Sequence, residues 1–65
     1  MAHDFDHIAR HLWFFEDRTA RLVAGLSNED RLRIEQCLRS LYGVSIHLSN
    51  DEEQIRTSIE KVRRV

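Results

Sequence analysis

Three histidines open the chain at a spacing that can do chemistry. His3, His7 and His11 stand at i, i+4 and i+8, so on a helix they line one face. Two imidazoles one helical turn apart can share a zinc or nickel ion. The motif lacks the glutamate of H-E-x-x-H, and Asp4 or Asp17 would add an oxygen only if the fold or a second copy brought it close. These histidines are therefore expected to be partly exposed polar residues beside an apolar seam, with no metal and no cofactor. Cys37 is the sole cysteine, which rules out an internal disulfide and a cysteine-based zinc site. As a nucleophile it would need a neighbouring base and a cleft of about 300 Å³ or more, for which a chain of this size has little material. Cys37 fits better as a small core residue, and no enzyme activity is expected.

The stronger signal is apolar. His11-Leu12-Trp13-Phe14-Phe15 holds three of the five aromatic residues in a row. Consecutive helical residues lie about 100° apart, so Leu12 to Phe15 sweep an arc wider than one packing neighbour covers. Phe5, Ile8, Leu12, Phe15, Thr19, Leu22 and Leu26 recur at spacings of three and four and form a first seam. One residue on runs a second: Ala9, Trp13, Glu16, Ala20 and Val23, mostly small residues around one large anchor. The first seam (Phe5, Ile8, Leu12, Phe15, Leu22) is expected to form the core or dimer contact. The second (Trp13, Ala9, Ala20, Val23), with Phe14 and Tyr42, is expected to meet a partner, because aromatic side chains dominate binding hot spots.

Local signals place these residues on helices. Asp4 is a good N-cap, Asp6 suits the positive end of the helix dipole, and Gly25 is expected to stop the helix at positive φ, giving a first helix over residues 4–24. Leu26-Ser27-Asn28-Glu29-Asp30 reads as the next start, with Ser27 or Asn28 as cap, and Gly43 as the natural stop of a helix over 28–42. Its buried side is Ile34, Cys37 or Leu38, and Leu41. The start signal recurs as Leu48-Ser49-Asn50-Asp51-Glu52, followed by an apolar stripe of Ile55, Ile59, Val62 and Val65 and by Lys61, Arg63 and Arg64 at the negative end of the dipole. Val44-Ser45-Ile46-His47-Leu48 alternates as a strand does, but without a partner strand it reads as an extended linker. A competing pattern keeps the three-four spacing through Gly43 and fuses the last two helices into one long arm of a hairpin, since a mid-helix glycine costs only ~1 kcal/mol.

Size and charge bound the rest. The 65 residues make one small domain, residues 1–65, which on folding buries only ~60% of the surface its unfolded chain exposes. With no disulfide or metal to help, association is the device left to offset the entropy of ordering the chain. Two glycines, no proline and 32% charged residues describe a helical protein. A net charge of −1, evenly spread, argues against a nucleic-acid tail or a membrane-surface helix. No apolar run approaches the ~20 residues of a membrane span, and Met-Ala-His-Asp is unlike a basic signal-peptide start. A cytoplasmic location is expected.

Leu41-Tyr42-Gly43-Val44-Ser45 resembles the Gly-Val-Ser turn of helix-turn-helix DNA-binding proteins, and the resemblance implies a second helix entering the major groove. Arg39 departs from that pattern where a small residue packs between the helices, and Ser49 and Glu52 depart from it where the recognition helix is apolar. The groove-facing segment would be Asn50-Asp51-Glu52-Glu53, which phosphates repel. A basic face from Arg31, Arg33, Arg39, Lys61, Arg63 and Arg64 competes with a surface of internal pairs to Glu35 and Glu60.

The expected fold is thus all-α: three short helices or a helical hairpin with a long second helix, in a homodimeric helical bundle whose first helix pairs with its copy. The expected function is that of a small intracellular regulatory protein that binds another protein, as an anti-activator, inhibitor or adaptor. A helix-turn-helix-like DNA-binding regulator is the alternative.

Overall fold

The computed structural model describes residues 4–64, and among these it is mostly helical with no strand. Asp4 caps the first turn as expected: its Oδ1 accepts the His7 N–H at 3.0 Å. The continuous helix expected over 4–24 is interrupted. The short α1, Phe5–His7, passes into a π-helical stretch, Ile8–Leu12, and the chain then breaks at residues 13–15 before α2, Glu16–Ala24. A π-type turn carries an extra residue, which rotates every later side chain relative to a regular helix. Trp13 can then enter the core without taking both of the aromatic residues after it.

Side chains from distant elements hold the break. The Leu12 carbonyl accepts the Phe15 N–H at 3.0 Å and also the Thr19 hydroxyl. The Tyr42 hydroxyl donates to the Ala9 carbonyl at 2.9 Å, and Arg63 Nη2 donates to the Phe14 carbonyl at 2.9 Å. Backbone groups released by a broken helix must find such partners or lose free energy.

The next elements follow local rules. Gly25 ends α2 with φ −83°, so the positive φ expected there is not used; its N–H closes on the Arg21 and Leu22 carbonyls at 3.3 and 3.2 Å. Ser27 caps α3, Asn28–Tyr42, its Oγ accepting the Asp30 N–H at 3.2 Å. Arg31, expected on a basic face, is buried at the α2–α3 turn, where its guanidinium donates to the Leu26 carbonyl at 2.5 Å and to Asn28 Oδ1. Gly43 stops α3 in the left-handed region (φ 68°, ψ 22°) and returns its N–H to the Arg39 carbonyl at 2.9 Å. The long-hairpin alternative is thereby overturned: the chain turns at Gly43.

Residues 44–48 run extended, with Val44, Ile46 and Leu48 buried and Ser45 and His47 exposed. Glu35 of α3 anchors one end by accepting the Leu48 N–H at 3.0 Å. Gln54 anchors it further, donating to the His47 carbonyl at 2.6 Å and accepting the Ser49 N–H at 3.0 Å. Asp51 then caps α4, Glu52–Arg63, through the Glu53 N–H at 2.9 Å. The predicted stripe of Ile55, Ile59 and Val62 is buried, and Val65 lies outside the described residues.

α4 packs chiefly on α2, and α3 packs on α1 and the π-helical stretch. One core joins all of them: Trp13, Ala20 and Val23 from the first half meet Ile34 and Leu38 of α3, the inward side of 44–48, and the α4 stripe.

Candidate functional site

The structure buries the second seam of the first helical stretch more deeply than the first. Ala9, Trp13, Ala20 and Val23, expected to face a partner, are each 0% exposed and form the chain's own core. This corrects their reading as partner contacts, because a side chain without accessible surface offers nothing to dock on. The seam expected to meet a partner is closed by the chain's own elements. In the other seam Ile8 is buried as expected, while Phe5, Leu12 and Leu22 border the core and Phe15 is 58% exposed. The expectation that Phe15 belongs to the inner seam fails for a local reason: it is the residue before α2, at φ −83° and ψ 80°, where the break turns it outward.

Two of the three expected anchors come together at the surface. Phe14 and Tyr42 meet edge to face, ring centroids 6.1 Å apart at 67°, and Phe14 remains 39% exposed. Arg63 of α4 covers part of the same ring, its Cζ 5.7 Å from the centroid. Its guanidinium also reaches Glu16 at 3.6 Å, so Arg63 joins the break to the last turn of α4. Beside this corner lies a shallow groove of about 280 Å³ lined by Leu12, Arg18, Thr19 and Leu22. The Phe15 N–H donates to the Leu12 carbonyl and the Phe15 carbonyl accepts the Thr19 N–H at 2.8 Å, so the backbone of Phe15 lies beside two residues of this groove.

Geometry at this corner favours adhesion over chemistry. It has a polarised aromatic pair, a cation stacked on one ring and apolar walls, the composition found in protein contact surfaces. Three carbonyls of the π-helical stretch and the break, those of Ala9, Leu12 and Phe14, are bound by Tyr42, Thr19 and Arg63. Those bonds fix the backbone under the aromatic residues.

The other candidates separate in space. His7 and His11 have ring centroids 5.0 Å apart, His3 lies outside the described residues, and no cluster of three or more metal-ligating side chains occurs among the described residues. Cys37 is half-buried, and its burial pushes the thiol above its ordinary pKa, with Asp6 and Asp4 adding to the rise. Asp6 is held below the ordinary carboxylate range mainly by its hydrogen bond from Arg10, 3.1 Å away.

The DNA-binding alternative meets a different connection from the one it needs. Nine residues, 43–51, separate α3 from α4, against the three or four of a helix-turn-helix. The exposed cations are also largely engaged: Arg33 with Glu29 at 3.8 Å, Arg39 with Ser45 at 3.1 Å and Arg64 with Glu60 at 4.0 Å. No helix of the described residues is long and apolar enough to cross a membrane. No family model, curated protein or solved structure matches the chain.

Sequence reasoning missed Phe15 as the most exposed aromatic and Arg63 as its neighbour's cover. One signal was available: a single helix cannot bury Trp13, Phe14 and Phe15 against one neighbour, so at least one had to stay outside.

Proposed function

We propose that this chain is a small regulatory protein that acts by binding another protein through the corner formed by Phe14, Phe15 and Tyr42 and the groove of Leu12 and Leu22. The observation that carries this reading is the 58% exposure of Phe15 beside a 39% exposed Phe14, on a backbone held by three side-chain hydrogen bonds. Large apolar side chains on a fixed backbone bind at low entropic cost, because little freedom remains to be lost. In this reading Phe15 and Phe14 fill a partner's pocket, Leu12 and Leu22 extend the contact, and Arg18 and Arg63 form its polar rim. The chain works as an anti-activator, inhibitor or adaptor rather than by catalysis, and it works in the cytoplasm.

Site-specific photo-cross-linking tests this. A benzoylphenylalanine placed at position 15 in the cells that make the protein is expected to give one discrete cross-linked product with a different protein. The same analogue at position 33, on exposed α3, is expected to give none. Adding Leu22→Glu should abolish the product from position 15. Equal products from both positions, or none from position 15, would refute the docking role.

A further inference from the structure

We infer that the groove of Leu12, Thr19 and Leu22 receives an acidic amphipathic helix of the partner protein, seated beside Phe15. The inference rests on the docking role proposed above and adds the partner's chemistry to it. Charge is sorted on α2. Its acids turn toward α4, Glu16 meeting Arg63 at 3.6 Å and Asp17 meeting Arg56 at 3.2 Å. Its cations do not: Arg18 and Arg21 are exposed, and neither guanidinium has a hydrogen bond or ion pair among the described residues. Arg10, Arg33, Arg56, Arg63 and Arg64, by contrast, each reach a carboxylate. Arg18 lines the groove, and Arg21 stands three residues on along the same face, next to Leu22. Among the described residues no acid lines the groove. An apolar recess bordered by two unpaired cations selects an apolar ridge bordered by carboxylates, because a basic segment would set like charge against like.

The backbone decides that the segment is a helix. A strand docks by pairing with free N–H and carbonyl groups along an edge. The groove offers no such edge: the Leu12 carbonyl already accepts the Phe15 N–H and the Thr19 hydroxyl, the Thr19 N–H is held by the Phe15 carbonyl, and Leu22 lies inside α2. Recognition therefore falls to side chains, as when an amphipathic helix lays its apolar face into a groove. The nine residues of α2 rise ~13.5 Å, which matches a partner helix of about two to three turns. A lipid surface fits less well. It would lie flat across Phe14 and Phe15 and leave the recess of about 280 Å³ unfilled.

Panning a random peptide library against the full chain tests this without the native partner. Enriched peptides are expected to space apolar residues at three and four, with acids between them and a net negative charge. A synthetic copy of the most enriched peptide should gain helical circular dichroism on binding, and salt should weaken it. Arg18→Glu with Arg21→Glu should weaken binding about tenfold or more, whereas Arg33→Glu should leave it unchanged. Should that double variant lose its own helical signal, Arg18→Gln with Arg21→Gln is read instead, with a loss of about fivefold. Enrichment of neutral or basic peptides, of none, or of peptides that the double variant binds equally well overturns the inference. So does Phe15-dependent binding to vesicles of phosphatidylserine and phosphatidylcholine with no peptide enriched, which makes a membrane the occupant. Self-association that Leu22→Glu dissolves makes the occupant a second copy and overturns it too. A cross-link from position 15 together with non-acidic peptides removes this inference alone, and the absence of that cross-link removes the docking role with it.

Discussion

Trp13 is the largest fully buried side chain, yet its indole Nε1 has no hydrogen-bond partner among the described residues. Burial of the ring and isolation of the N–H act in opposite directions. Truncating a buried Trp to Ala removes the ring from the core at a cost of ~3–5 kcal/mol, whereas an unsatisfied buried donor costs ~1–3 kcal/mol while it is present. Trp13→Phe loses part of the ring but also removes the unpaired donor. Urea unfolding should therefore show Trp13→Phe costing less than half of what Trp13→Ala costs. Equal losses would mean that the indole N–H is satisfied in solution. Phe14 and Tyr42, whose rings meet at the surface, could be singled out from the sequence because aromatic type alone marks them. Phe15 could not be separated from Trp13 that way. The two differ only in which side of the break they fall on, and the break is decided by groups far along the chain.

Elements differ in how local their causes are. The bounds of α3 were legible because Ser27 and Gly43 act within a few residues of the ends they set; the start signal of α4 was legible too, although its cap is Asp51 and not the serine or asparagine that the match with α3 marks. The interruption of the first stretch was not legible, since the residues that secure it, Tyr42 and Arg63, stand 33 and 49 positions from the carbonyls they bind. The two glycines show the same contrast and give a test. At Gly43 an added Cβ meets no atom within 4 Å, so the cost of Gly43→Ala comes from φ 68° alone, ~1–2 kcal/mol. At Gly25 the backbone is right-handed and a Cβ would make ordinary contacts, at 3.6 and 3.7 Å to carbonyl oxygens. Gly25→Ala should leave the protein unchanged or stabilise it by up to ~1 kcal/mol, through the unfolded chain's smaller entropy. Opposite signs in thermal unfolding are the expected result. A destabilising Gly25→Ala would show that this turn needs the freedom of glycine after all.

Taken as one body, the chain closes on itself. Its radius of gyration of 10.3 Å is close to the ~10.7 Å expected for a compact domain of this length. A second copy is therefore not needed to complete the core. Composition could not have shown this. It marks a short chain with a marginal core, but not that Ala9, Ala20 and Val23 admit the chain's own elements closely enough to bury Trp13 fully. What the molecule leaves outside is Phe15, with Phe14 and Leu32. A side chain kept at the surface for a partner contributes little to its own chain's stability, whereas a core aromatic contributes ~3–5 kcal/mol. The most direct measurement is the equilibrium unfolding free energy of Phe15→Ser against the parent protein, at a concentration where both are monomeric. A difference within ~0.5 kcal/mol is the predicted result, as for substitutions at other surface positions. A loss of ~3 kcal/mol or more would place Phe15 in the core and remove the surface on which the docking role rests.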